Sequence, residues 1–232
     1  MASFFPAWPA LQGRRGFIFF GAMSGTRVVV FIDYQNVYFS ARELFGGTGK
    51  VPPPVGNIYP HRYGQLLRDL GLPVDPDRVL TGVRVYRGQP VTGIGHERVC
   101  QSFDRQRARW RGFPEVELFT RPLKYYPTIA RDGSKYFRGI EKGVDVMMAL
   151  DIAIGATKDS YDVAIVATAD ADLLPAVEHA LATGKRVETV SWWKPKSPRG
   201  QLTVPDRNIW NHNLDENKFN LVRDDTDYLA AS

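Results

Sequence analysis

Two short apolar runs, each ending on an acid, constrain this chain more than any other feature. Arg27-Val-Val-Val-Phe-Ile-Asp33 and Val163-Ala-Ile-Val-Ala-Thr-Ala-Asp170 lack the apolar–polar alternation of a half-exposed strand. They read as strands covered on both faces, Val28–Ile32 and Val163–Thr168, the pattern of a parallel sheet held between helical layers. The intervening chain alternates in the same way. Helices are predicted over Val37–Phe45, His61–Leu70, Glu97–Arg111, Val144–Ala156 and Leu173–Ala182. Strands are predicted over Arg78–Tyr86 and Arg186–Trp192, and Val116–Pro127 is read as a third strand or a hairpin arm, with Lys135–Ile140 returning from an Asp132-Gly133 turn as the hairpin's second strand. The expected fold class is therefore α/β: a three-layer α/β/α sandwich around a central, mainly parallel sheet.

The rest of the chain divides around that domain. Residues 1–26 are expected to be a flexible N-terminal extension, 27–193 the folded domain, and 194–232 a basic, proline-rich loop and a tail that packs back. The tail's spaced anchors are Ile209, Trp210, Leu214, Phe219 and Leu221. Gly16-Phe-Ile-Phe-Phe-Gly21 is far shorter than the roughly 20 apolar residues of a membrane span, so no membrane partner is expected. Met23 is an alternative natural start to Met1. The single Cys100 excludes an internal disulfide and a cysteine-based zinc site, and fits a reducing, cytoplasmic setting.

Four aspartates fall where such a sheet gathers its strand ends: Asp33, Asp145, Asp170 and Asp172. Ligands of open α/β sheets bind outside the carboxyl ends of the strands. Taken singly, each acid has an ordinary explanation. Asp33 or Asn36 can cap the Val37 helix, Asp170 or Asp172 the Leu173 helix, and Asp145 sits in a first turn where the macrodipole favours an anion. Together they are harder to explain as caps, because gathered carboxylates repel one another unless a cation neutralises them. Oxygen donors without cysteine or clustered histidine favour Mg²⁺ or Mn²⁺. Such ions polarise a phosphodiester, activate water and stabilise the leaving oxygen. His61, His96, His179 and His212 are scattered and receive no catalytic role. Asp151 follows Asp145 by six residues, about 240° further round a helix, so the two cannot point at one ion. Its expected role is to pair with a basic side chain behind the site.

At this point the blocks Phe31-Ile-Asp33-Tyr-Gln-Asn36-Val37, Lys142-Gly-Val-Asp145-Val-Met-Met-Ala-Leu-Asp151, Asp162–Asp172 and Gly184-Lys-Arg-Val187 acquire a common meaning. They resemble the successive signatures of NYN domains, members of the PIN-like nuclease superfamily, from about Arg27 to Trp193. The resemblance implies a PIN-like sandwich and metal-dependent RNA cleavage, with Asp33, Asp145, Asp170 and Asp172 as the acidic set. It also implies Asn36 as the polar residue beside the first acid, and Asp151 matches another position that is often acidic in the family. The family's usual Ser-Gly-Asp-x-Asp-Phe reads Thr168-Ala-Asp170-Ala-Asp172-Leu173 here. Every carboxylate is kept, and Thr168 keeps a hydroxyl near the site.

A net charge of +5 around an acidic centre puts the excess Lys and Arg elsewhere, which suits a polyanionic substrate. Lys124, Tyr125, Tyr126, Lys135, Tyr136, Arg138 and Lys142 combine cations with stacking rings, the pattern of single-stranded RNA recognition. Arg105 and Arg109 lie in a second basic group on the Glu97–Arg111 helix, alongside Arg98, Arg107 and Arg111. Lys194 and Lys196, beside Trp192 and Trp193, extend the candidate groove. The leading expectation is a Mg²⁺- or Mn²⁺-dependent ribonuclease, endonucleolytic, acting on single-stranded or structured RNA, with a homodimer as a further possibility. The alternatives are a non-catalytic RNA-binding adaptor with the same fold and, below it, a phosphohydrolase using Asp33 as nucleophile. The last would want a second acid where Gln35 stands.

Overall fold

The computed structural model describes residues 25–49, 51–93, 96–197 and 200–230. The predicted N-terminal extension and the Met23 start lie outside them. In chain order the elements are β1 (Thr26–Asp33), α1 (Tyr34–Phe45), α2 (Pro60–Gly71), β2 (Arg78–Gln89), α3 (Glu97–Trp110), β3 (Val116–Pro122), β4 (Lys124–Ile129), β5 (Lys135–Ile140) and α4 (Val144–Thr157). Then come β6 (Val163–Ala167), a 3₁₀ turn (Ala171–Leu173), α5 (Leu174–Ala182), β7 (Arg186–Trp192), β8 (Asn211–Leu214) and α6 (Glu216–Val222). Six strands form one sheet in the order β3-β2-β1-β6-β7-β8. Every pairing in it is parallel.

The two apolar runs behave as strands buried on both faces because successive side chains alternate between them. Val28, Val30 and Ile32 enter the core layer shared with α1, α2 and α6, together with Val163, Ile165 and Ala167 of β6. Val29 and Phe31, with Ala164 and Val166, enter the opposite layer under α4 and α5. Helices therefore cover both faces, which makes the three-layer sandwich. From β1 the chain builds outward to β2 and β3, then returns to β6 and builds outward to β7 and β8 on the other side. The order reverses between β1 and β6, and a crevice opens at the carboxyl ends of strands around such a switch point.

Two expectations need correction. Val116–Pro127 is not one strand. Pro122 has no N–H to donate, and Leu123 N donates instead to Gln89 O at 2.8 Å, which ends β3 at the sheet edge. The chain then leaves the sheet as β4, which pairs antiparallel with β5 in a separate two-stranded ribbon. The tail also contributes more than packing anchors. Asn211–Leu214 is the sixth strand of the sheet, parallel to β7. Its Asn-His-Asn-Leu sequence has poor strand propensity, and pairing with β7 overrides that preference.

Candidate functional site

Asp33 closes β1 and caps α1, its Oδ1 accepting from Asn36 N at 3.1 Å. Its Oδ2 accepts from the Thr168 hydroxyl at 2.9 Å, and the same hydroxyl oxygen accepts from Asp170 N at 3.1 Å. Thr168 thus ties the end of β1 to the loop after β6. Asn36 makes a second tie, its Oδ1 accepting from Ala169 N at 3.3 Å. Asp170 caps the 3₁₀ turn by accepting from Asp172 N at 2.9 Å. Capping and clustering are therefore not alternatives. The caps hold the carboxylates at the switch point.

Asp145 reaches the same place from the other layer, in the first turn of α4. Gly143, the residue that caps this helix, has φ +72°, a left-handed turn that glycine adopts at little cost. Asp33, Asp145 and Asp170 line one cleft of about 510 Å³, together with Glu43, Arg138 and Glu141. Asp172 is exposed beyond that lining, close enough for its charge to act on Asp145. Burial pushes the Asp33 carboxyl up to about 6, against the opposing pull of its Asn36 and Thr168 hydrogen bonds. Burial also raises the Asp145 pKa, with the Asp170 and Asp172 charges adding to it.

Glu141 was not legible from the sequence. It precedes α4, lines the cleft, and its Oε1 accepts from Gly88 N at 2.6 Å. Burial raises its pKa, and the charge of Asp145 raises it further. The sole hint was its place four residues before Asp145. Among the described residues none of Asp33, Glu141, Asp145, Asp170 and Asp172 pairs with a basic side chain. The donor set fits a hard, oxygen-preferring cation. No three Asp, Glu, His or Cys side chains among the described residues already stand close enough to hold one ion. Asp151 lies away from the cleft, as its helical position required. It pairs with Arg84 at 3.0 Å and accepts from the Tyr86 hydroxyl.

The basic residues divide. Lys124, Tyr126 and Thr128 oppose Ile140, Arg138 and Tyr136 across the ribbon, so Lys124, Tyr126, Tyr136 and Arg138 share one face. That face carries Arg138 into the acidic cleft. Lys135 lies on the opposite face, opposite Ile129. Lys142 is exposed between the ribbon and α4. Arg105 and Arg109 are engaged within the fold and do not join this group. Arg105 donates to Tyr228 O, and Arg109 donates to the Tyr59 hydroxyl at 2.9 Å and lies over its ring. Trp192 is core, its Nε1 donating to Val37 O at 3.0 Å. Lys194 and Lys196 line a second cleft of about 540 Å³ that shares Asn36, Ser40 and Glu43 with the first.

No helix among the described residues is long and apolar enough to cross a membrane. No curated protein gives a significant match. A solved protein of unknown function from Vibrio parahaemolyticus is 19% identical, with a TM-score of 0.44 over 72% of this chain and 81% of that one. The family model described as NYN domain matches residues 27–209, most of the chain, from the second residue of β1 through the end of β7. With the parallel sheet, the acids at its switch point and this match in agreement, the chain belongs to the NYN domain family.

Proposed function

We propose that this protein is a metal-dependent ribonuclease that hydrolyses RNA phosphodiester bonds, endonucleolytically, in the cleft between β1 and β6. The observation that carries this reading is the unpaired acidic set Asp33, Asp145, Asp170 and Asp172, with Glu141 added, under a ribbon of exposed cations and rings. Bound Mg²⁺ or Mn²⁺ would supply Lewis-acid polarisation of the phosphoryl oxygens and charge stabilisation. Asp33, Asp145 and Asp170 would hold it from three separate segments after side-chain rotation within the cleft, with Asp172 at the rim. Thr168 and Asn36 keep the β1 and β6 ends in register, so Asp33 and Asp170 stay on one site. Arg138, which lines the cleft, would meet the phosphate on the cleft side of the ribbon. Lys124, Tyr126 and Tyr136 continue the same face with charge for the backbone and rings for unstacked bases.

Labelled single-stranded RNA, incubated with and without Mn²⁺, tests this. Wild type should cleave only with the metal. Asp33→Asn and Asp145→Asn should each lose at least about a hundredfold in rate, the scale on which removal of an electrostatic stabiliser acts. Cleavage that survives EDTA or either substitution would overturn the metal-centre reading. Equal RNA binding by all three proteins without cleavage would support the adaptor instead.

A further inference from the structure

A further cavity beside the acidic cleft contains a cation, Arg87, that forms no ion pair among the described residues. It encloses about 300 Å³ and shares Gln35, Phe39, Gly139 and Glu141 with the cleft, so the two spaces are continuous along one wall. Arg87 lines it. Its guanidinium lies against three rings, 4.8 Å from the centroids of Tyr34 and Phe103 and 5.6 Å from that of Trp110. Nη1 donates to Gln106 Oε1. Nε and Nη2 have no hydrogen-bond partner among the described residues, and no Asp or Glu among them forms an ion pair with this side chain. Burial lowers the Arg87 pKa, and Glu141 acts on it only through space.

Arg87 is half-buried and its two unbonded nitrogens are not sealed from solvent, so their edge is open to an anion that enters the cavity. The free edge of a guanidinium matches a phosphate by two parallel N–H bonds. Around it the cavity offers ring surface from Tyr34, Tyr38 and Phe39, and amides from Asn57 and Gln106. Glu141 stands on the shared wall as an acceptor, so the cavity selects a ligand carrying hydrogen-bond donors as well as an anion. The C-terminal segment Thr226–Leu229 forms part of its wall, with Tyr228 fastened through Asp224 at 2.6 Å. We propose that this cavity is a nucleotide pocket, seating one phosphate on Arg87 and the attached base against Tyr38 and Phe39. This rests on the nuclease reading in that the cavity opens onto the proposed cleavage cleft, where it would seat a nucleotide next to the scissile bond.

Calorimetric titration of the full chain in EDTA with AMP, CMP, GMP and UMP, and with the matching nucleosides, tests the pocket without requiring cleavage. At least one monophosphate should bind at least tenfold more tightly than its nucleoside. Arg87→Gln should remove that difference. Phe39→Ala, at a side chain that is 55% exposed, should weaken binding several-fold with unchanged thermal unfolding, and decides the matter if the Arg87 variant does not fold. Competition by one RNA oligonucleotide with a 5′-phosphate or a 5′-hydroxyl separates the sources. Preference for the phosphorylated form assigns the pocket to a chain end, and equal competition to an internal nucleotide. No competition by either assigns it to a free nucleotide. Equal binding of nucleotides and nucleosides, or binding indifferent to Phe39→Ala and Arg87→Gln, overturns the proposal and makes Arg87 a packing residue. Cleavage without monophosphate binding would sink this inference alone, and monophosphate binding without cleavage would sink the nuclease reading alone.

Discussion

Asp33 caps α1 and lines the acidic cleft, and its surroundings pull its pKa in opposite directions. The two hydrogen bonds favour the carboxylate, whereas burial and the charges of Asp145 and Glu141 disfavour it; the net result is a pKa of about 6 against an ordinary 3.8. Between those values the folded state holds a proton that the unfolded state has released. Stability therefore falls as pH rises from about 4 to 6 and stays lower above that window. Removing the charge should reverse the loss. In EDTA at neutral pH, Asp33→Asn is expected to be more stable than wild type by up to about 3 kcal/mol in urea denaturation, on the scale of a two-unit shift. Added Mn²⁺ should raise the melting temperature of wild type and not of Asp33→Asn, since a ligand stabilises only the state that binds it. Thr168→Val keeps the shape but removes both bonds of the hydroxyl. It should cost about 1–2 kcal/mol and push the Asp33 pKa higher still, measurable by carboxyl titration in NMR.

The helix α2 packs on β2 at a distance that only glycine permits at position 64. A Cβ there would stand 2.4 Å from Val83 Cγ2, a methyl that cannot swing away. Glycine inside a helix is ordinarily a liability, yet Gly64→Ala is expected to destabilise by about 1–3 kcal/mol through overpacking, seen as a lower urea midpoint with an unchanged slope. The ribbon β4–β5 stands apart from that core, with Tyr126, Tyr136 and Phe137 each nearly half exposed. Substituting Lys124 or Arg138 by Ala should leave unfolding unchanged and weaken RNA binding across sequences. It should also reduce the slope of log affinity against log salt by about 1 for each phosphate that is no longer neutralised. The same substitution at Arg105 should instead loosen the C-terminal segment, because that guanidinium holds Tyr228 O. Both groups look alike in sequence. Only the partners distinguish a cation facing solvent from one holding a loop.

At the scale of the molecule, the sheet continues past the matched family region. β8 and α6 follow residue 209, and they supply Leu214, Phe219 and Val222 to the core beneath α1 and α2. A chain truncated after residue 209 is expected to lose cooperative thermal unfolding, because β7 becomes an open edge and that apolar layer is uncovered. The buried Glu188 makes the same point. It joins Arg78 of β2 to His212 of β8, bonds that keep its pKa below the ordinary value despite burial. Local pattern by itself determined the two double-covered strands, the parallel three-layer class and the acids at their ends, because burial on both faces demands unbroken apolar runs and strand ends collect the loops. It also determined that Asp151 turns away from Asp145, since helical geometry leaves no choice. Only the tertiary structure decided that Glu141 joins the acids, that Arg87 stands beside them without an ion pair among the described residues, and that Arg105 and Arg109 are held elsewhere. It likewise decided that a polar Asn-His-Asn-Leu segment becomes a strand. Each of these depends on a partner distant in sequence, and neither a charge nor a weak propensity carries any local mark of the partner it will meet.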